Sequence, residues 1–113
     1  MITRTAIFEG QVKAGHEDEF FRRFEQELAP IWREFPHASN IRLFRVQSTD
    51  EGAPPIAMIQ QIDYPSLAAL EEAIASPARQ RARALTLELM QMFEGRFYHV
   101  ISGGNTVCGG ALP

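Results

Sequence analysis

A chain of 113 residues with 45% apolar and 22% charged side chains has room for one globular core and is too apolar for disorder. Its formal charge of −3, from 11 basic and 14 acidic side chains, offers no general attraction to nucleic acid or to an anionic membrane. Cys108 is the only cysteine, so an intrachain disulfide is excluded, and a reducing, cytoplasmic location is expected.

The opening residues alternate apolar and polar groups, which predicts a strand from Thr3 to Val12 rather than a signal peptide. Gly15 ends that strand. Glu17, Asp18 and Glu19 then fall in the first turn of a helix, where carboxylates complement the positive end of the dipole. Phe20, Phe24, Leu28, Ile31, Trp32 and Phe35 recur at helical spacing and form its apolar face. Pro30 lacks an N–H, so it should kink this helix or split off its last turn. A second strand is expected from Ile41 to Ser48, a loop of turn formers over Thr49–Pro55, and a third strand from Ile56 to Tyr64.

Ser66 is placed to cap a short helix carrying Leu67, Leu70 and Ile74 on one side. Ser76 and Pro77 are the N-cap and first residue of a further helix, expected to reach Phe93 with Ala82, Leu85, Leu89, Met92 and Phe93 inward. Arg79, Arg81 and Arg83 step around that helix, so they read as solvated positions and ion-pair partners, not as a nucleic-acid or phosphate site. Gly95 should stop the helix, leaving Arg96–Ser102 as the fourth strand.

The order βαββαβ is that of the ferredoxin-like plait, an α+β fold in which a four-stranded antiparallel sheet carries its helices on one face. The strands nevertheless have large apolar groups on both faces: Ile41 and Leu43 oppose Phe44 and Val46, and Phe97 and Ile101 oppose Tyr98 and Val100. An uncovered apolar face needs a cover, and the simplest is a second copy of the sheet, giving a homodimer through sheet faces. Residues 1–102 would form the barrel domain. The Gly-rich segment 103–113 would dock on the partner subunit through Val107, Cys108 and Leu112.

With its Leu-rich short helix "SLAALEEAIASPARQRAR" and aromatic last strand "RFYHVI", the chain resembles the dimeric α+β barrel superfamily, specifically its antibiotic-biosynthesis monooxygenase-like and EthD-like groups. The resemblance spans residues 3 to 102 and rests on scaffold residues. It implies a small homodimeric enzyme that needs no cofactor, an oxygenase or a cyclase or isomerase, acting on a small apolar, aromatic or polyketide-like substrate. The alternative is a non-catalytic ligand-binding or stress-associated dimer.

His99 is the first candidate catalytic group, as a general base titrating near neutrality. Tyr64 and Tyr98 offer hydroxyls to a ligand oxygen. Asp63 and Glu9 would accept a proton if turned inward; otherwise they pair with Arg42, Arg45 or Arg96. Trp32, His37 and Phe24 are candidate substrate contacts, His37 at a pocket mouth. The three histidines show no metal-ligand spacing, and there is no dinucleotide fingerprint or phosphate loop, so neither metal nor cofactor is expected.

Overall fold

The structure is a computed structural model, and residues 1–104 are described. The docking expected of Val107, Cys108 and Leu112 lies outside the described residues. Strand β1 (Ile2–Val12) is followed by helix α1 (Glu17–Arg23), a π-helical turn (Phe24–Leu28) and α2 (Ala29–Trp32). Then come β2 (Ser39–Arg45), β3 (Ile56–Tyr64), α3 (Leu67–Ile74), α4 (Pro77–Leu89), a 3₁₀ turn (Met90–Met92) and β4 (Phe93–Gly103). The sheet order is β2-β3-β1-β4, antiparallel throughout, which is the ferredoxin-like α+β arrangement. No helix among the described residues is long and apolar enough to cross a membrane.

Both serine caps act as expected: the Ser66 hydroxyl accepts from the Ala69 N–H at 3.1 Å and the Ser76 hydroxyl from the Arg79 N–H at 3.3 Å. At Pro30 the last turn is split off as the separate helix α2. The chain makes a π turn just ahead of it, with the Ala29 N–H reaching back to the Phe24 carbonyl. The widened turn absorbs the misfit of a proline ring inside the helix.

Two boundaries differ from expectation at the end of α4. The helix stops at Leu89 and a 3₁₀ turn carries the chain into β4, so Gly95 is not a helix stop. It lies within β4, directly opposite Gly10 of β1, and both have positive φ, +144° and +134°. A Cβ on either would lie 2.1 Å from a backbone oxygen of the other strand. The two glycines are there because the backbones touch. In β2 the strand begins earlier, at Ser39, because an irregularity between Ser39 and Arg42, with Asn40 at φ 49°, keeps it paired to β3.

The core lies between the sheet and the helices. Phe8 is at its centre, edge-on to Phe24 at 5.3 Å and stacked on Phe97 at 5.4 Å, while Phe20 stacks on Phe93 at 5.6 Å. The opposite sheet face bears Ile7, Ile59, Phe44, Tyr98 and Val100, and no element of this chain among the described residues covers it. Phe44 is 45% exposed and Val100 44%.

Candidate functional site

The helix-side face of the sheet shows one residue in two from each strand. On β1 these are Arg4, Ala6 and Phe8, and across from them on β4 are Ile101, His99 and Phe97. Ala6 pairs with His99, and Ala82 of α4 faces the same space. Two small side chains on facing elements cannot fill the gap, so a cleft remains. Phe24, delivered by the π turn, joins Trp32, Phe35 and Phe97 as its aromatic wall. Gln60 and Thr86 line it too, the Thr86 hydroxyl donating to the Ala82 carbonyl at 2.7 Å. The space open to the centres of water molecules is about 50 Å³, room for roughly four waters or one small ring.

The charges of the cleft are all of one sign. Arg4, Arg79 and Arg83 line it, and no carboxylate does. Among the described residues none of the three forms an ion pair, and the Arg4 Nε is buried with no hydrogen-bond partner. Burial, and then the nearby Arg79 charge, holds the Arg4 guanidinium below its ordinary pKa. His99 packs edge-on to Phe97 at 5.9 Å. The residue keeps an exposed edge, and partial desolvation at the cleft wall, reinforced by Arg4, Arg79 and Arg83, pushes its pKa down to about 4. His99 is therefore neutral at pH 7, with one ring nitrogen able to accept a proton.

Of the residues singled out from sequence, His99, Trp32 and Phe24 come together in this cleft, and the others do not. Tyr98 and His99 are consecutive on one strand, so they must point to opposite faces. The Tyr98 ring lies on the far side of the sheet, with the Arg96 guanidinium 5.2 Å from its centre. Asp63 and Tyr64 are separated for the same reason. Tyr64 faces the helices but is 1% exposed within the core, clear of the cleft lining, and burial raises its pKa.

Asp63 is on the outer face, and it is no poised base. Its carboxylate accepts from Arg42 at 3.1 Å, from the Thr3 hydroxyl at 2.7 Å and from Asn40 at 2.9 Å. Those hydrogen bonds, Arg42's above all, bring its pKa down to about 2. Glu9 pairs with Arg96 at 3.2 Å. His37 does not stand at the cleft mouth either: at φ 64°, its Nε2 lies 2.6 Å from the Glu72 carboxylate, tying the β2 approach to α3.

Sequence reasoning missed the arginines. Arg81 does ion-pair, with Glu34 at 2.6 Å, but Arg79 and Arg83 are four residues apart and share a helix face. The signal for Arg4 was its place in the alternation with Ala6 and Phe8, a charge on the face that must be covered.

No family profile and no curated protein sequence matches the chain. Solved structures do. An EthD-family protein from Bacillus halodurans superposes with TM-score 0.71 at 15% identity, covering 93% of this chain and 99% of that one. SnoaB, a cofactor-independent oxygenase from Streptomyces nogalater, gives 0.66 at 16% identity over 95% of both chains. A dimeric ferredoxin-like protein from Jannaschia gives 0.66 at 16% identity over 91% of this chain and 98% of that one. Likeness at such identities shows a shared fold, and the chemistry has to be argued from the cleft.

Proposed function

We propose that the protein is a small homodimeric enzyme that removes a proton from a monocyclic aromatic substrate and lets the resulting anion react with dioxygen, without a cofactor. The observation that carries this reading is a neutral histidine on the wall of a cleft whose only charges are three guanidinium groups. His99 takes a phenolic proton, the electron pair stays on the ring, and Arg4, Arg79 and Arg83 offset the negative charge. A quinol substrate then supplies four electrons to O₂. One oxygen atom enters the ring, giving a hydroxyquinone, and the other leaves as water. The likeness to a cofactor-independent oxygenase is consistent with this chemistry. The cleft has room for one aromatic ring between its aromatic walls.

Oxygen-electrode measurements with monocyclic quinols test the reading. Protein-dependent uptake of one O₂ per quinol, unchanged by chelators, is the expected result. Quinols that are neither consumed nor deprotonated by the protein would leave a ligand-binding, non-catalytic dimer as the better account.

The dimer belongs to the same proposal. The apolar outer face of the sheet supports it, as do structural neighbours described as dimeric. Placing charges there, as in Phe44→Glu with Val100→Glu, should convert a dimer into a folded monomer at micromolar concentration in sedimentation velocity, because two carboxylates cannot be buried unpaired. A wild-type monomer, or a double variant that still dimerises, defeats the sheet-face interface.

A further inference from the structure

The cleft gathers more positive charge than proton abstraction needs. Three guanidinium groups line it, no carboxylate does, and the described residues give none of the three an ion-pair partner. The Arg4 Nε is shut away from solvent with its N–H unused. A buried donor without an acceptor is costly, and natural structures leave few of them. Elsewhere in this chain arginines do find partners: Arg23 has Glu27 at 2.9 Å, Arg42 has Asp63 and Arg81 has Glu34. Arg22, Arg33 and Arg45 also lack an ion pair among the described residues, but they are exposed and lie apart from one another. The cleft brings three such groups together beside aromatic rings.

We propose that the cleft is a binding site for an aromatic carboxylate, the ring against Phe24, Trp32 and Phe97 and the carboxylate among Arg4, Arg79 and Arg83. Guanidinium forks match the planar two-oxygen face of a carboxylate, which a phenol or an amide cannot reproduce. The ring and the charge are both required, because each wall of the cleft recognises one of them. Inorganic anions satisfy only the arginines, and a neutral arene satisfies only the rings. The inference shares with the proposed function the premise that the cleft takes a ligand, and nothing about catalysis.

Trp32 is the only tryptophan of the chain and lines the cleft, so its fluorescence reports occupancy directly. Titrations with benzoate, benzamide and acetate separate ring from charge. Benzoate should bind at least about tenfold more tightly than either control, the gain expected of a charge-assisted hydrogen bond. Replacing both Arg79→Gln and Arg83→Gln should weaken benzoate by about 10–100-fold and leave benzamide within about twofold. Raising the salt concentration on the unaltered protein, which needs no variant to fold, should weaken benzoate and acetate and leave benzamide unchanged.

Equal affinity for benzoate and benzamide, equal affinity for benzoate and acetate, or no saturable change with benzoate would each overturn the site. A protein that discriminates among these probes but consumes no quinol keeps the carboxylate site and loses the proposed reaction. The reverse pattern keeps the reaction and loses the carboxylate.

Discussion

Under the proposed reaction, a His99→Ala protein is expected to keep its fold and the proposed dimer and to lose turnover by about 10²–10⁴, the range supplied by a positioned general base. Ordinary histidine would place the acid limb of the rate profile near neutrality. Here desolvation and the charges of Arg4, Arg79 and Arg83 hold the ring down to about 4, so kcat/KM, which reports the free enzyme, should stay flat from pH 8 down to about 5 and fall around pH 4. A base of that pKa is weak in the empty cleft. A quinol that also carries a carboxylate would cancel part of the arginines' field, so with such a substrate the acid limb of kcat should lie above that of kcat/KM. Limbs that coincide near 6.5 would mean that His99 does not feel the cleft. Unchanged turnover in His99→Ala would remove it from the chemistry.

The same shift has a consequence for stability. The unfolded chain takes up the His99 proton near its ordinary 6.5 and the folded chain near 4. Between those values the unfolded state holds more protons, so stability rises with pH. The contribution of the neutral ring is complete above pH 6.5 and drains away as the pH falls towards 4.

Gly10→Ala or Gly95→Ala should each destabilise the fold by about 3 kcal/mol or more, the sum of a strained backbone and a clash with no flexible partner to yield. Gly10 and Gly95 are register partners. The added carbon would lie 2.1 Å from the Glu94 oxygen in one case and the Glu9 oxygen in the other, with the facing glycine Cα 2.9 Å away. Both are backbone atoms, so β1 and β4 must part, two residues from the Phe8–Phe97 pair that joins the core to the cleft. Differential scanning calorimetry should show the midpoint lower by about 10–20 °C. Gly52→Ala is the control: its φ is +85° but nothing lies within 4 Å, so only about 1 kcal/mol of backbone strain is expected. A Gly10→Ala protein as stable as Gly52→Ala would show that the strands accommodate the methyl group.

Local signals in the chain carry the element order. Ser66, Ser76 and Pro77 stand where caps and first turns need them, and Ile56–Tyr64 is the third strand as its alternation indicates. Such features depend on neighbours within a few residues, which is why they can be read in one dimension. Gly95 could not be read that way. After a helical run a glycine looks like a stop, and only the register with β1 reveals that it answers Gly10.

The site was legible one residue at a time but not as a set. His99, Trp32 and Phe24 could be named from their types and spacing, and they share a cleft. Asp63, Tyr64, Tyr98 and His37 were equally eligible by type, and the fold sends them to an ion-pair cluster, the core, the outer face and a contact with Glu72. Alternation alone forbids Tyr98 and His99, or Asp63 and Tyr64, from sharing a face.

The sequence by itself determined the order of strands and helices, the caps that start the last two helices, and an excess of apolar surface for one set of helices. Those follow from hydrogen bonding and burial along the chain. Only the tertiary structure decided that Arg4, from the first strand, and Arg79 and Arg83, from the last helix, meet around one gap left by Ala6 and Ala82. Their charges act through space, and residues some 75 positions apart become neighbours only when the antiparallel sheet and the helix on its face are both in place.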